Sequence, residues 1–357
     1  MMPLPAGSHR ILIVTDAWEP QVNGVVRTLN ALAHELRAMG HLVEIIGPDR
    51  FRTIPCPTYP DIALSLFPRR RLVRMIEAFA PDALHIATEG PIGLAARAWA
   101  RRSGFSFTTA FHTRFAEYIQ ARTGVPVRPI YAWMRRFHGA GQGMLVATRS
   151  MREELDARGF RHIRPWTRGV DLTLFRPEPK EDWDFPRPVF LHVGRIAVEK
   201  NIGAFLDLDL PGSKVVVGDG PALAGLRRRY PGVHFLGPRF GADLARCYAA
   251  ADVFVFPSVT DTFGLVLLES LACGTPIAAY PVTGPIDVLA DSTTLVGATD
   301  WDLRRAALTA LRADRAACRA HAETFSWRTC AEVFLSHLVP LLVSPGARQG
   351  SDIRHAS

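Results

Sequence analysis

Apolar runs and helically spaced stretches alternate along the first half of the chain. ILIVT (11–15) is a short run of the kind buried on both faces, and NGVVRTLNALAHELRAMG (23–40) follows with helical spacing and a stop at Gly40. HLVEIIG (41–47), ALHIAT (83–88), FSFTTAF (105–111) and MLVAT (144–148) read as further strands. RLVRMIEAFAP (71–81) and GPIGLAARAWARRSG (90–104) read as helices. Strand and helix in this order predict βαβ units on a parallel sheet.

The alternation breaks at DLTLFRPEPKEDWDFPRP (171–188), where prolines and acids have the composition of a linker. It restarts with VFLHVG (189–194), KVVVG (214–218), VHFLG (233–237), DVFVFPS (252–258) and PIAAY (276–280) as strands. Helices over 222–230 and 242–251 separate some of them. The pattern predicts α/β architecture with two doubly wound, Rossmann-like domains facing across a cleft. The first spans 1–170, the linker 171–188 and the second 189–345. The closing helices of 301–345 are candidates to pack back on the first domain, and 346–357 is a polar tail. Ligands of such sheets sit beyond the carboxyl ends of the strands.

Composition narrows the class. Apolar residues make up 48% and charged residues 21% of 357 residues, ordinary for a soluble protein. No apolar run approaches a membrane span, and MMPLPAGSHR lacks the long apolar core expected of a secretory leader. The five cysteines are scattered without a CxxC pair, so no zinc site or disulfide framework is expected, and the cytoplasm is the expected location. The net charge of +8 is uneven. Residues 1–170 hold 23 arginines, no lysine and 13 acids, a net +10, and residues 171–357 carry −2. A solvated arginine surface explains this. So does a face that meets anionic lipid at the inner face of the cytoplasmic membrane. No nucleic-acid module accompanies the charge, and nucleic acid is not expected as a partner.

The second half carries most of the candidate chemistry. In HVGRIAVEKN (192–201), Arg195 and Lys200 stand just past a strand, an arrangement suited to phosphate. GDGP places Gly218 and Gly220 after the next strand, where backbone can approach a ligand closely. It is not a dinucleotide fingerprint, and no P-loop is present. VTDTFGLVLLESLACG (259–274) holds Asp261 and Glu269 in an apolar setting. Asp261 has the position of a helix N-cap, and Gly264 that of a first turn where a phosphate could approach free N–H groups. Glu269, deeper in the helix, has no such structural explanation. In the first half, Gly24 opens a helix that can seat a phosphate, and His112 follows a strand. The pairs Asp182–Asp184 and Asp207–Asp209 read as surface, and no metal site is expected.

TDAWEPQVNGVVRTL, FHTRF, VGRIAVEKN, VGDGP and TDTFGLVLLESLACGTPIA, in this order, resemble the retaining glycosyltransferases of family four, with the GT-B fold. The likeness runs from about Ile11 to Pro281. The branch it suggests holds sulfoquinovosyl-diacylglycerol synthases and GDP-mannose-dependent mannosyltransferases. The family's two glutamates, separated by seven intervening residues, fall on Asp261 and Glu269, with aspartate departing from the common glutamate in first place. The resemblance implies that Glu269 binds the nucleotide's ribose and Asp261 the transferred sugar. It further implies that backbone N–H groups of Phe263, Gly264 and Leu265 hold sugar or diphosphate. Arg195 and Lys200 would neutralise the leaving diphosphate, Gly24 would approach it, and His112 would contact the sugar near the reacting carbon. No cofactor or metal is implied.

The expected activity is hexosyltransferase chemistry (EC 2.4.1) with retention, moving a hexose or hexuronic acid from a nucleotide diphosphate sugar, a UDP-sugar in first place. The expected acceptor is a lipid such as diacylglycerol. The alternatives are a GDP-mannose-dependent α-mannosyltransferase acting on a glycolipid or polysaccharide and, from another class, a nucleotide-sugar epimerase.

Overall fold

The structure is a computed structural model. It describes residues 7–21, 23–56, 59–179 and 183–342. The expected tail (346–357), part of the expected linker (180–182) and with it Asp182 lie outside these residues.

The chain forms two units. The first comprises the described residues up to Val146 together with Leu155–Trp166 and the stretch from Ala331 onward. The second comprises Ala147–Glu154 and Thr167–Cys330.

The first unit contains β1 (Arg10–Val14), β2 (Leu42–Ile46), β3 (Thr53–Cys56), β4 (Tyr59–Ser65), β5 (Ala83–Ile86), β6 (Phe107–Phe111), β7 (Gly143–Val146) and β8 (Ile163–Pro165). Six of them form a parallel sheet in the order β2-β1-β5-β6-β7-β8. β3 and β4 make a separate antiparallel pair that the sequence pattern did not predict. Ile11, Leu12, Ile13 and Val14 are wholly buried, as a strand covered on both faces requires. The helix Gly24–Ala38 presents Val26, Leu29, Leu32, Ala33 and Leu36 inward at helical spacing, and Asn23 caps it by accepting from the N–H groups of Val25 and Val26, both at 3.0 Å. Phe334, from the last helix, packs on His85 and Trp166 with ring centroids 4.9 and 5.3 Å away.

The second unit contains β9 (Val189–Val193), β10 (Ser213–Val217), β11 (His234–Gly237), β12 (Val253–Phe256), β13 (Ile277–Ala279) and β14 (Gly297–Thr299). They form one parallel sheet in the order β11-β10-β9-β12-β13-β14. Side chains alternate between two cores. Leu191, Val215, Phe254 and Ile277 enter one. Phe190, Val216, Val255 and Ala278 enter the other. The strand order reverses between β9 and β12, which makes the carboxyl ends of those strands the switch point where such sheets bind ligands.

Candidate active site

The loops leaving β9 and β10 are locked together mainly by backbone. Gly218 follows β10 at φ +143, and a Cβ there would lie 1.9 Å from the Gly194 carbonyl oxygen. A Cβ on Gly220 would lie 2.3 Å from the oxygen of Ile196. Ile196 N–H donates to Asp219 O at 2.8 Å, and Ala222 N–H donates to Ile196 O at 3.1 Å. The two glycines of GDGP are therefore explained by the loop beside them, a reason the sequence reading did not consider. The helix that follows, Leu223–Arg229, is short, and the Gly220 N–H already donates to the Asp219 carboxylate at 2.7 Å.

Across the switch point the corner after β9 is tied to the loop after β12 by side chains. Asn201 Nδ2 donates to Pro257 O at 3.2 Å, and Thr260 Oγ1 donates to Glu199 O at 3.2 Å. Lys200 Nζ donates to Asp261 Oδ1 at 2.6 Å, with both side chains largely shielded from solvent. Asp261 is thus no helix cap. The cap position of the helix Leu265–Ala272 is Gly264, at φ +84 and without a side-chain cap bond. The cap reading fails because three residues intervene between Asp261 and the first helical turn, long enough to swing its carboxylate to Lys200. Phe263 sends its ring into the core, and its carbonyl backs against Gly284, where a Cβ would lie 2.6 Å away. Leu265 packs partly against the same core.

Glu269 lies one to two turns into that helix, 5% exposed, and its Oε2 accepts from the Tyr248 hydroxyl at 3.1 Å. Its charge adds to burial in pushing the Cys273 thiol up to about 12. His192, on β9, is buried and donates through Nδ1–H to Val255 O at 3.2 Å. Burial drives its pKa down to about 4, and the Lys200 charge acts in the same direction, so the ring is neutral. A buried polar atom without a partner costs about 1–3 kcal/mol. In this unit, among the described residues, those atoms are His192 Nε2, Ser258 Oγ and Asp261 Oδ2. All three stand at the carboxyl ends of β9 and β12, so the unit's polar deficit is concentrated at the switch point. The sequence reading passed over His192 and Ser258, although HVG and FPS end the two central strands.

The second unit therefore brings Arg195, Lys200, Gly218, Gly220, Asp261 and Gly264 to one rim, with Glu269 deeper along the helix. Gly24 and His112 belong to the first unit, in the segments that follow β1 and β6. Two of the N–H groups at the Gly24 helix start are engaged by Asn23, which competes with an anion for them. His112 meets Trp166 edge-on at 5.7 Å. Asp16 was missed by the sequence reading although it lies in TDAWEPQ. Its carboxylate accepts from Ile92 N–H at 2.8 Å, Gly93 N–H at 3.1 Å and the Thr88 hydroxyl at 3.0 Å. It joins β1 to the helix after β5, and burial raises its pKa to about 6. Asp207 bonds Tyr230 and pairs with Arg229 at 3.6 Å. Among the described residues, no group of three His, Cys, Asp or Glu side chains is arranged to hold a metal.

Two parallel, doubly wound α/β units of this kind define the GT-B fold. Sucrose-phosphate synthase of Thermosynechococcus elongatus superposes with a TM-score of 0.68 at 21% identity, covering 93% of this chain and 98% of that one. HepE of Anabaena, in complex with UDP and glucose, superposes with 0.68 at 15% identity over 93% and 100%. In sequence, residues 22–174 match the family model for Glycosyltransferase Family 4, and 187–314 that for Glycosyl transferases group 1. The GDP-mannose-dependent alpha-mannosyltransferase of Mycolicibacterium smegmatis is 32% identical over 79% of this chain and 82% of its own. Sulfoquinovosyl transferase SQD2 of Arabidopsis thaliana is 30% identical over 75% of this chain and 58% of its own. The chain belongs to the family 4 glycosyltransferases.

Proposed function

We propose that the protein transfers a hexosyl group, with retention, from a nucleoside diphosphate sugar to a lipid acceptor. The observation that carries the reading is the Lys200–Asp261 contact at the switch point, which sets a cation and a sugar-binding acid side by side. Lys200 and Arg195 stabilise the charge that develops on the departing diphosphate. Asp261 exchanges its bond to Lys200 for a hydroxyl of the sugar, and Glu269 holds the ribose. The anomeric carbon–phosphate oxygen bond breaks and the bond to the acceptor oxygen forms on the same face of the sugar. The acceptor's proton passes to the departing phosphate, so the step needs no protein nucleophile and no metal.

The mannosyltransferase relatives, 31% and 32% identical, support GDP-mannose as the first donor to try, ahead of the UDP-sugars expected in first place above. A lipid acceptor is supported by the lipid named in the alpha-monoglucosyldiacylglycerol synthase of Streptococcus pneumoniae, 29% identical over 76% of this chain. Among the described residues no helix is long and apolar enough to cross a membrane, so such an acceptor is met at a surface.

The test is incubation with GDP-mannose, UDP-glucose or UDP-galactose, with and without diacylglycerol or phosphatidylinositol vesicles, in the presence of EDTA. Proton NMR of the product reads the anomeric configuration. Transfer that conserves the donor's configuration is expected. Inversion, dependence on a divalent metal, or isomerisation of the donor without acceptor overturns the reading.

A further inference from the structure

His192 has no part in the chemistry described so far, yet its environment is specialised. It is 2% exposed, and Phe205 packs on the ring with centroids 6.3 Å apart. The bond from Nδ1 to Val255 O crosses from β9 to β12 and commits the ring's proton to that nitrogen. Nε2 is left with a lone pair. That atom faces the corner after β9, since a Cβ on Gly194 would lie 3.6 Å from it. The charged side chains close enough to act on the ring are Lys200 and Asp261. A structural histidine held only for its bond to Val255 would not need a buried, unpartnered acceptor facing the corner that leads to Lys200.

We propose that His192 is a positioning residue for Lys200. Its Nε2 accepts an N–H of the Lys200 ammonium once a sugar hydroxyl has claimed Asp261, and so keeps the cation at the leaving diphosphate. A neutral imidazole suits this task. A carboxylate there would quench the charge that Lys200 must lend to the phosphate, and a second cation would repel it. The inference rests on the transferase reading above and names a residue which that reading does not use.

Two measurements test it. The first needs no donor. In protein labelled with 15N-histidine, the His192 resonances are assigned by their loss in H192N. Nε2 is expected at the shift of an unprotonated nitrogen, and is expected to move in K200M and in D261N. A proton on Nε2, or indifference to both substitutions, overturns the proposal while leaving the transferase reading intact.

The second is steady-state transfer from GDP-mannose or whichever donor the wild type uses. H192N keeps an amide N–H near the Nδ1 position, H192Q places an amide oxygen near Nε2, and H192F offers neither. H192N and H192F are expected to lose about tenfold or more in kcat with KM within about threefold, and H192Q to recover most of it. Wild-type kcat in H192N, or equal losses in H192N and H192Q, reduces His192 to a structural role and overturns the proposal. A wild-type protein that turns over no donor overturns the transferase reading, and this inference with it.

Discussion

Lys200 and Asp261, 61 residues apart in sequence, meet at 2.6 Å across the two central strands of the second sheet. On the function proposed above, the contact holds a charge beside the departing diphosphate, and neither side chain is deeply buried. Lys200→Ala is therefore expected to lower kcat/KM by about 10²–10³, the scale of losing one preorganised charge stabiliser. It should cost no more than about 1 kcal/mol of stability, as partly exposed pairs do. Kinetics paired with urea denaturation separate the two effects. A loss under threefold would remove Lys200 from leaving-group stabilisation.

Glu269 should behave in the opposite way, with stability and binding lost together. Glu269→Ala takes from the buried Tyr248 hydroxyl its bond at 3.1 Å, at a cost of about 1–3 kcal/mol. If the carboxylate also holds ribose, the wild type will prefer GDP over 2′-deoxy-GDP by about tenfold, and Glu269→Gln will largely abolish that preference. Isothermal titration with the two nucleotides reads this directly, and a preference unchanged in Glu269→Gln would refute the ribose role.

Asp16 makes stability depend on pH. Its folded-state pKa is raised from 3.8 to about 6, so the folded state holds the proton more tightly than the unfolded chain. This contribution is fully present below pH 3.8 and is lost as pH rises through about 6. The stability of the wild type relative to Asp16→Asn is expected to fall by about 1 kcal/mol from pH 5 to pH 7. Denaturant titrations at the two pH values measure it, and a difference that stays flat or grows with pH would contradict the buried, protonatable carboxyl.

Thiol chemistry should single out Cys56. It is half-buried, whereas Cys247, Cys273, Cys318 and Cys330 are buried. Burial also pushes the thiols of Cys273 and Cys318 up to about 12, which removes the reactive thiolate near neutral pH. Ellman's reagent at pH 8 is expected to modify Cys56 quickly and the others only on unfolding, a pattern that Cys56→Ser should abolish.

The helix Arg69–Phe79 buries Leu72 and Ile76 and exposes Arg69, Arg70, Arg71 and Arg74, with Phe67 94% exposed just before it. Such a face suits anionic lipid, each basic residue contributing about 1 kcal/mol near the surface. Cosedimentation should need phosphatidylglycerol, fade with salt and fall strongly when the four arginines become glutamine. Equal binding to neutral vesicles would count against it.

The periodicity of the sequence carried the two parallel sheets because strands buried on both faces read as unbroken apolar runs, as in Ile11–Val14 and Val253–Phe256. The short hairpin of β3 and β4 and the three-residue β8 and β14 lacked that signal. Arg195, Lys200, Asp261 and Glu269 stood out as charges at strand ends or in apolar company. What sequence could not supply was partnership. Asp261 has a capping residue's identity and spacing, and only the fold reveals that Lys200 takes its carboxylate. Asp16 looked like one polar residue in a loop, and its three bonds come from residues 72 to 77 positions away. His192 was hidden inside an apolar strand.

The route of the chain has a consequence for recombination. The first unit is completed only when the stretch from Ala331 returns and sets Phe334 against His85 and the wholly buried Trp166. A chimera made by one crossover near residue 180, joining this first half to a relative's second half, would inherit a foreign closing helix over a native tryptophan. Exchange of the second unit between family members, in the laboratory or by gene recombination, is therefore cleanest as a cassette with two junctions. The second junction belongs between Cys330 and Phe334, where the chain changes units.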